Sequence, residues 1–131
     1  MSINILRPCD IEEEIRLALK DYLTAYVRPL PKDLEVPSVL IKAVGGDSES
    51  TIDTFRVVLD SRAKTDEEAS DLIRTALGLL EARTAEQFGA LRNITVNSMA
   101  GWGSDPVRPD LSMCSMTLLV TAHRESLTIN T

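Results

Sequence analysis

The chain has 131 residues, 44% of them apolar and 26% charged. A chain of that size closes one domain around one core without staples. Its net charge is −6, and no cluster of Lys and Arg is present to release counterions, which disfavours non-specific binding to nucleic-acid phosphates. The longest apolar run, Leu118-Leu119-Val120, ends at Thr121, far short of a membrane helix. Met1–Arg7 does not read as a secretion leader, so the expected compartment is the cytoplasm of the producing cell.

In chain order, residues 1–9 read as an N-terminal arm closed by Pro8. Asp10 caps a first helix, with Glu13 three residues later. Ile11, Ile15, Ala18, Leu19, Tyr22 and Tyr26 then share one helical face, predicting a helix that ends near Val27. Arg28-Pro29-Leu30-Pro31 stops it. A first strand is predicted over Val36–Val44, with Val39, Ile41 and Ala43 on one face. Residues 45–50 read as a turn and Thr51–Asp60 as the antiparallel return strand. The polar run Asp60-Ser61-Arg62-Ala63-Lys64 reads as a connection. Thr65 and Glu68 then form a T-x-x-E capping box at a second helix, from Asp66 to about Arg83. Residues 84–91 are open between helix end and turn. A third strand follows at Arg92–Ala100, a loop at Gly101–Asp110 and a long fourth strand at Leu111–His123. Residues 125–131 read as a loose polar tail.

Charge placement explains the acidity. Glu12, Glu13 and Glu14 start one helix and Asp66, Glu67 and Glu68 the other, where carboxylates complement the dipole. Without these six, 14 acidic residues face 14 Lys and Arg. Cys9 and Cys114 lack metal-type spacing and read as two reduced thiols.

Two hairpins separated by a helix bury both helices only if the strands share one sheet. With a right-handed crossover, the expectation is an α+β two-layer sandwich. Its four-stranded, mainly antiparallel sheet would have order 1-2-4-3 and two helices on one face, a permuted relative of the ferredoxin-like fold. Phe55, Val57, Leu59, Cys114, Met116, Leu118, Val120 and Ala122 would face the helices. Leu40, Val58, Met113 and Leu119 would point away, mixed with Lys42, Arg56 and Thr117, as an exposed apolar face of the kind that contacts another chain.

No residue set suggests catalysis, a metal or a cofactor. Gly45-Gly46-Asp47-Ser48 lacks the lysine of a phosphate loop and reads as a hairpin turn. His123, the one histidine, has no converging partners. Ser61 beside Asp60 has no base in register, and Glu12–Glu14 reads as a solvated helix start. Trp102, between Gly101 and Gly103, either tucks the loop onto its own domain or anchors another chain. Arg108, between Val107 and Pro109, reads equally as a partner for a neighbour's carboxylate or as a solvated side chain.

The layout resembles tail terminator (tail completion) proteins of tailed bacteriophages. The likeness is carried by the opening amphipathic helix, by Glu35-Val36-Pro37-Ser38-Val39-Leu40-Ile41 leading to Gly45-Gly46-Asp47, and by Phe55-Arg56-Val57-Val58-Leu59-Asp60-Ser61-Arg62-Ala63 before Thr65-Asp66-Glu67-Glu68-Ala69. The loop from Asp105 to Asp110 and the long last strand complete it. It covers most of the chain as a pattern of order, with no single diagnostic motif. It implies a structural virion protein, a homohexameric ring that caps the tail tube, ends its polymerisation and offers the head-docking surface. The implied partners are further copies of itself, the tail tube protein and a head–tail connector protein, with DNA only as passing cargo and no membrane. Glycine- and proline-rich hairpin loops, including Gly45, Gly46 and Asp47, would contact the tube. The alternatives are another head–tail connector or neck protein and, in a different class, a dimeric ferredoxin-like ligand-binding regulatory domain.

Overall fold

The computed structural model describes residues 1–49 and 51–131, with Ala100 described by its backbone alone. Among the described residues the elements follow in the order β1 (Ser2–Arg7), α1 (Ile11–Leu19), β2 (Ala25–Val27), β3 (Ser38–Ser48), β4 (Ile52–Ala63), α2 (Asp66–Ala85), β5 (Leu91–Ser104), β6 (Ser112–His123) and β7 (Glu125–Asn130).

Both helices begin at the residues whose side chains satisfy their free amides. The Glu13 N–H donates to Asp10 Oδ1 at 3.3 Å and the Glu68 N–H to Thr65 Oγ1 at 3.2 Å. Each cap fixes the start of an amphipathic helix. Ile11, Ile15, Ala18 and Leu19 of α1 join Ala69, Ile73, Ala76 and Leu80 of α2 in a single core. Val39, Ile41, Val57, Leu59, Cys114, Met116, Leu118, Val120 and Ala122 supply its sheet side. Each fully buried Leu or Ile there stabilises the fold by about 1.5–3 kcal/mol.

The first helix is shorter than its periodicity implies. It ends at Leu19, and residues 25–27 instead form β2, which pairs parallel with β3 through Ala25↔Val39, Tyr26↔Leu40 and Val27↔Ile41. Tyr22 is 61% exposed and lies outside the helix. Thr24, Tyr26 and Val27 favour extended backbone, and Pro29 forbids helical continuation. Apolar spacing alone did not separate a fourth and fifth helical turn from a short strand.

The expected four-stranded sandwich is therefore incorrect. The main sheet has five strands in the order β2-β3-β4-β6-β5, and β1 and β7 form a separate two-stranded sheet. The supposed arm and loose tail pair antiparallel from Ser2↔Asn130 to Arg7↔Glu125. Three internal boundaries also move. β3 continues through Gly45 and Gly46 to Ser48, with its register shifting between Ala43 and Gly46, so 45–48 is a bulged strand. Ser50, the end of the turn expected there, lies outside the described residues. β4 runs on through Asp60, Ser61 and Arg62, all buried, because each polar side chain finds a partner. β5 extends to Ser104 and so includes Trp102, leaving only 105–111 as loop.

The acidic start of α1 is not solvated as expected. Glu12 Oε2 accepts the Ala43 N–H at 3.0 Å and Arg28 Nη2 at 2.6 Å, tying α1 to β3 and to the end of β2. Glu13 pairs with Arg16, and Glu14 Oε1 accepts the Ala90 N–H at 3.1 Å. Burial works to raise the Glu12 pKa, but the Ala43 amide and Arg28 outweigh it and hold the carboxyl below its usual value. Glu12→Ala should lower the free energy of unfolding by about 2 kcal/mol, since it orphans a part-buried amide. Urea titration at neutral pH measures this, and a loss under half a kcal/mol would refute the bracing role.

Candidate interaction surfaces

Among the described residues, the serines, cysteines and histidine singled out in the sequence do not converge. Ser61 is fully buried and donates to the Ala69 carbonyl at 2.7 Å, whereas Asp60 points to the opposite face of β4 and accepts from Ser115 Oγ at 2.6 Å. His123 is exposed at the end of β6. Cys9 is buried, and burial first, then Glu14, pushes its thiol up to about 11. Burial also raises Cys114. Both sulfurs are protonated at neutral pH and unsuited to nucleophilic work. Among the described residues, no three His, Cys, Asp or Glu side chains group as metal ligands, and no helix is long and apolar enough to cross a membrane.

The sheet face turned from the helices is less apolar than alternation implies. Val58, Met113 and Leu119 are half-buried there, and Val58 lies diagonally from both Leu40 and Leu119 in the strand register. Leu40, expected to be exposed, is only 6% exposed. Polar pairs interrupt the patch: Lys42 Nζ reaches Asp60 Oδ2 at 2.7 Å, and Arg62 Nε reaches Asp105 Oδ2 at 2.6 Å.

The second pair organises the loop after β5. Asp105 has no exposed surface, accepts from Arg62 and, through Oδ1, from the Val107 N–H at 2.9 Å. Burial acts to raise its pKa, but Arg62 and the Val107 amide overcome that and lower it. Within the loop Arg108 grips Asp110 at 3.1 and 2.9 Å, so its charge is already matched within the chain.

Trp102 is 62% exposed and does not tuck under its domain. It stands between a depression bounded by Pro109, Asp110 and Leu111 and another bounded by Glu67, Ser70 and Arg74, with Asp66 common to both. Gly45, Gly46 and Asp47 lie elsewhere. With Pro8, Ala43 and Phe55 they line an open, mainly apolar depression of about 350 Å³. The candidate interface residues thus fall on three separate surfaces: the outer sheet face, the far end of β5 with its loop, and the β3 bulge.

A further exposed apolar feature lies where the sequence predicts only an arm and a tail. The β1–β7 ribbon pairs with neither edge of the main sheet. Its register places Ile3 opposite Ile129 and Ile5 opposite Leu127, so these four side chains share one face. Ile3 is 50% and Ile129 44% exposed. The opposite face carries Ser2, Asn4, Ser126, Thr128 and Asn130 with Leu6. The signal was present as Ile3-Asn4-Ile5 and Leu127-Thr128-Ile129, two short alternations that mean little until paired. In comparisons with known proteins, no family model and no curated protein matches the chain.

Proposed function

We propose that this chain is a structural subunit of a bacteriophage tail. It is a ring-forming terminator that caps the tail tube, ends polymerisation and offers the head-docking surface. The observation that carries the reading is the β1–β7 ribbon. A two-stranded ribbon is marginal in water by itself, and this one exposes Ile3 and Ile129 on one face. Such a feature gains its stability from a neighbouring chain, as expected of an assembly part. Ser61, Asp60 and Asp105, buried polar groups of β4 and of the loop after β5, are held by structural partners, which agrees with a role in which no bond is made or broken. The partners in this reading are further copies of the chain, the tube protein and a head–tail connector protein, with DNA as passing cargo.

Native mass spectrometry of the chain, alone and with tail-tube protein, tests the proposal. The expected result is a closed ring of six subunits, alone or only when tube is added. The open depression beside Gly45 and Phe55 favours a second reading, a dimeric ligand-binding regulatory module. A stable dimer indifferent to tube protein, with ligand-dependent thermal stabilisation, would move the conclusion there.

A further inference from the structure

Among the described residues the main sheet ends in two edge strands, β2 and β5. β2, at one side of the main sheet, is three residues long and bounded by Arg28 and Pro29, a well-guarded edge. β5, at the other side, is fourteen residues long and pairs only with β6. Edge strands are ordinarily defended by charge or proline. From Asn93 to Ser104, however, β5 contains neither. In that respect it is composed like β6, which is uncharged from Ser112 to Ala122 and lies inside the sheet. Bulges distort β5 between Val96 and Gly101, but Gly101–Ser104 pairs regularly with Ser115–Ser112.

Two glycines in this stretch add an independent observation. Gly46 and Gly89 are needed where they stand, because each adopts a left-handed φ and a Cβ there would meet Thr54 O or Glu14. Gly101 and Gly103 adopt no such φ, and a Cβ at either would meet nothing within 4 Å. Glycine weakens a strand and commonly marks the close approach of another backbone or of a large cross-strand side chain. Among the described residues nothing occupies the space at these two positions.

We propose that the β1–β7 ribbon of one copy adds to the open β5 edge of a second copy along Gly101–Ser104, with its apolar side chains lying across Gly101 and Gly103. The inference rests on the reading of this chain as an assembly subunit and names the contact. The ribbon is uncharged over Ser2–Leu6 and Ser126–Asn130, so joining the two edges buries backbone groups that pair with one another and no side-chain charge. Ile3 and Ile5, like Leu127 and Ile129, are spaced by two, the spacing of Gly101 and Gly103. Strand addition supplies affinity through main-chain hydrogen bonds, and the large-to-small match sets register. Because ribbon and edge are different surfaces, the contact is head-to-tail and can close into a ring.

Hydrogen–deuterium exchange of the full chain across a dilution series tests the contact. It is run on wild type and on Gly103→Lys and Ile129→Lys, both at exposed positions. The expected result is that amides of 101–104 and of the ribbon gain protection together as the oligomer forms. Each variant should weaken association by about tenfold or more while its thermal midpoint stays within a few degrees of wild type. An open oligomer or dimer with those amides protected would support the contact even if it removes the ring. An oligomer in which 101–104 exchanges as in the monomer would overturn the contact and leave the ring standing on another surface. Unchanged association in both variants, or a chain monomeric at millimolar concentration, would also overturn it.

Discussion

Asp105→Ala should lower the free energy of unfolding by about 3–5 kcal/mol, the range for breaking a buried ion pair by removing one partner. Asp105 is fully buried and Arg62 is 5% exposed. Arg62 Nη1 already has no hydrogen-bond partner among the described residues. Removing the carboxylate would leave the guanidinium buried and uncompensated, and would free the Val107 amide as well. The 105–111 loop would lose its main tether to β4, and chemical denaturation measures the cost. The sign with pH follows from the Asp105 shift. Its folded pKa lies below its unfolded value, so its contribution is present above the unfolded pKa and is lost as pH falls through the folded one. The gap between wild type and Asp105→Ala should therefore narrow below about pH 4. A gap that is constant with pH would mean the carboxylate charge is not what matters.

Gly46→Ala should cost about 2–4 kcal/mol, combining left-handed strain with a steric clash. Gly46 has φ +150°, and a Cβ there would lie 2.0 Å from the Thr54 carbonyl oxygen and 2.9 Å from Phe55 Cα. Both are backbone atoms of the facing strand, so relief requires β3 and β4 to part where Gly46 pairs with Phe55. Gly45 provides the internal control. Its φ is +122°, but a Cβ there would meet nothing within 4 Å, so Gly45→Ala should show the strain alone and cost less. Equal losses in thermal unfolding would show that crowding by Thr54 does not decide the requirement. The same pair probes the depression beside the bulge, since only Gly46 fixes how closely the two strands approach.

What was legible in the sequence was whatever a local signal states completely. Asp10 and Thr65 mark helix starts because their side chains satisfy amides three residues away. The alternation of Cys114, Met116, Leu118, Val120 and Ala122 marks a core face because burial follows period two. What was not legible depended on partners distant along the chain. Asp60 and Arg62 look like loop residues until Lys42, Ser115 and Asp105 arrive to neutralise them inside a strand. Tyr22 and Tyr26 continue a helical pattern until β3 offers backbone groups to residues 25–27. Of the candidate interface residues, Trp102 was recognised by its glycine flanks but placed in a loop. Leu40 was expected on the surface, where only the three-dimensional fold reveals its burial. The ribbon is not legible because each half alternates over only a few residues and its partner lies at the other end of the chain.

The ribbon joins residue 2 to residue 130, so it closes a loop that spans nearly the whole chain. Closing a long loop costs chain entropy before any contact repays it, and pairings of such high sequence separation form late in folding. The reverse holds as the protein opens. The ribbon, whose residues are exposed or half-buried on both faces, is the unit expected to come apart first, while the five-stranded sheet and its helices persist. Readiness to associate would then be set by a local equilibrium distinct from global unfolding. A population fully folded by every core probe can still differ in how much of it is competent to assemble.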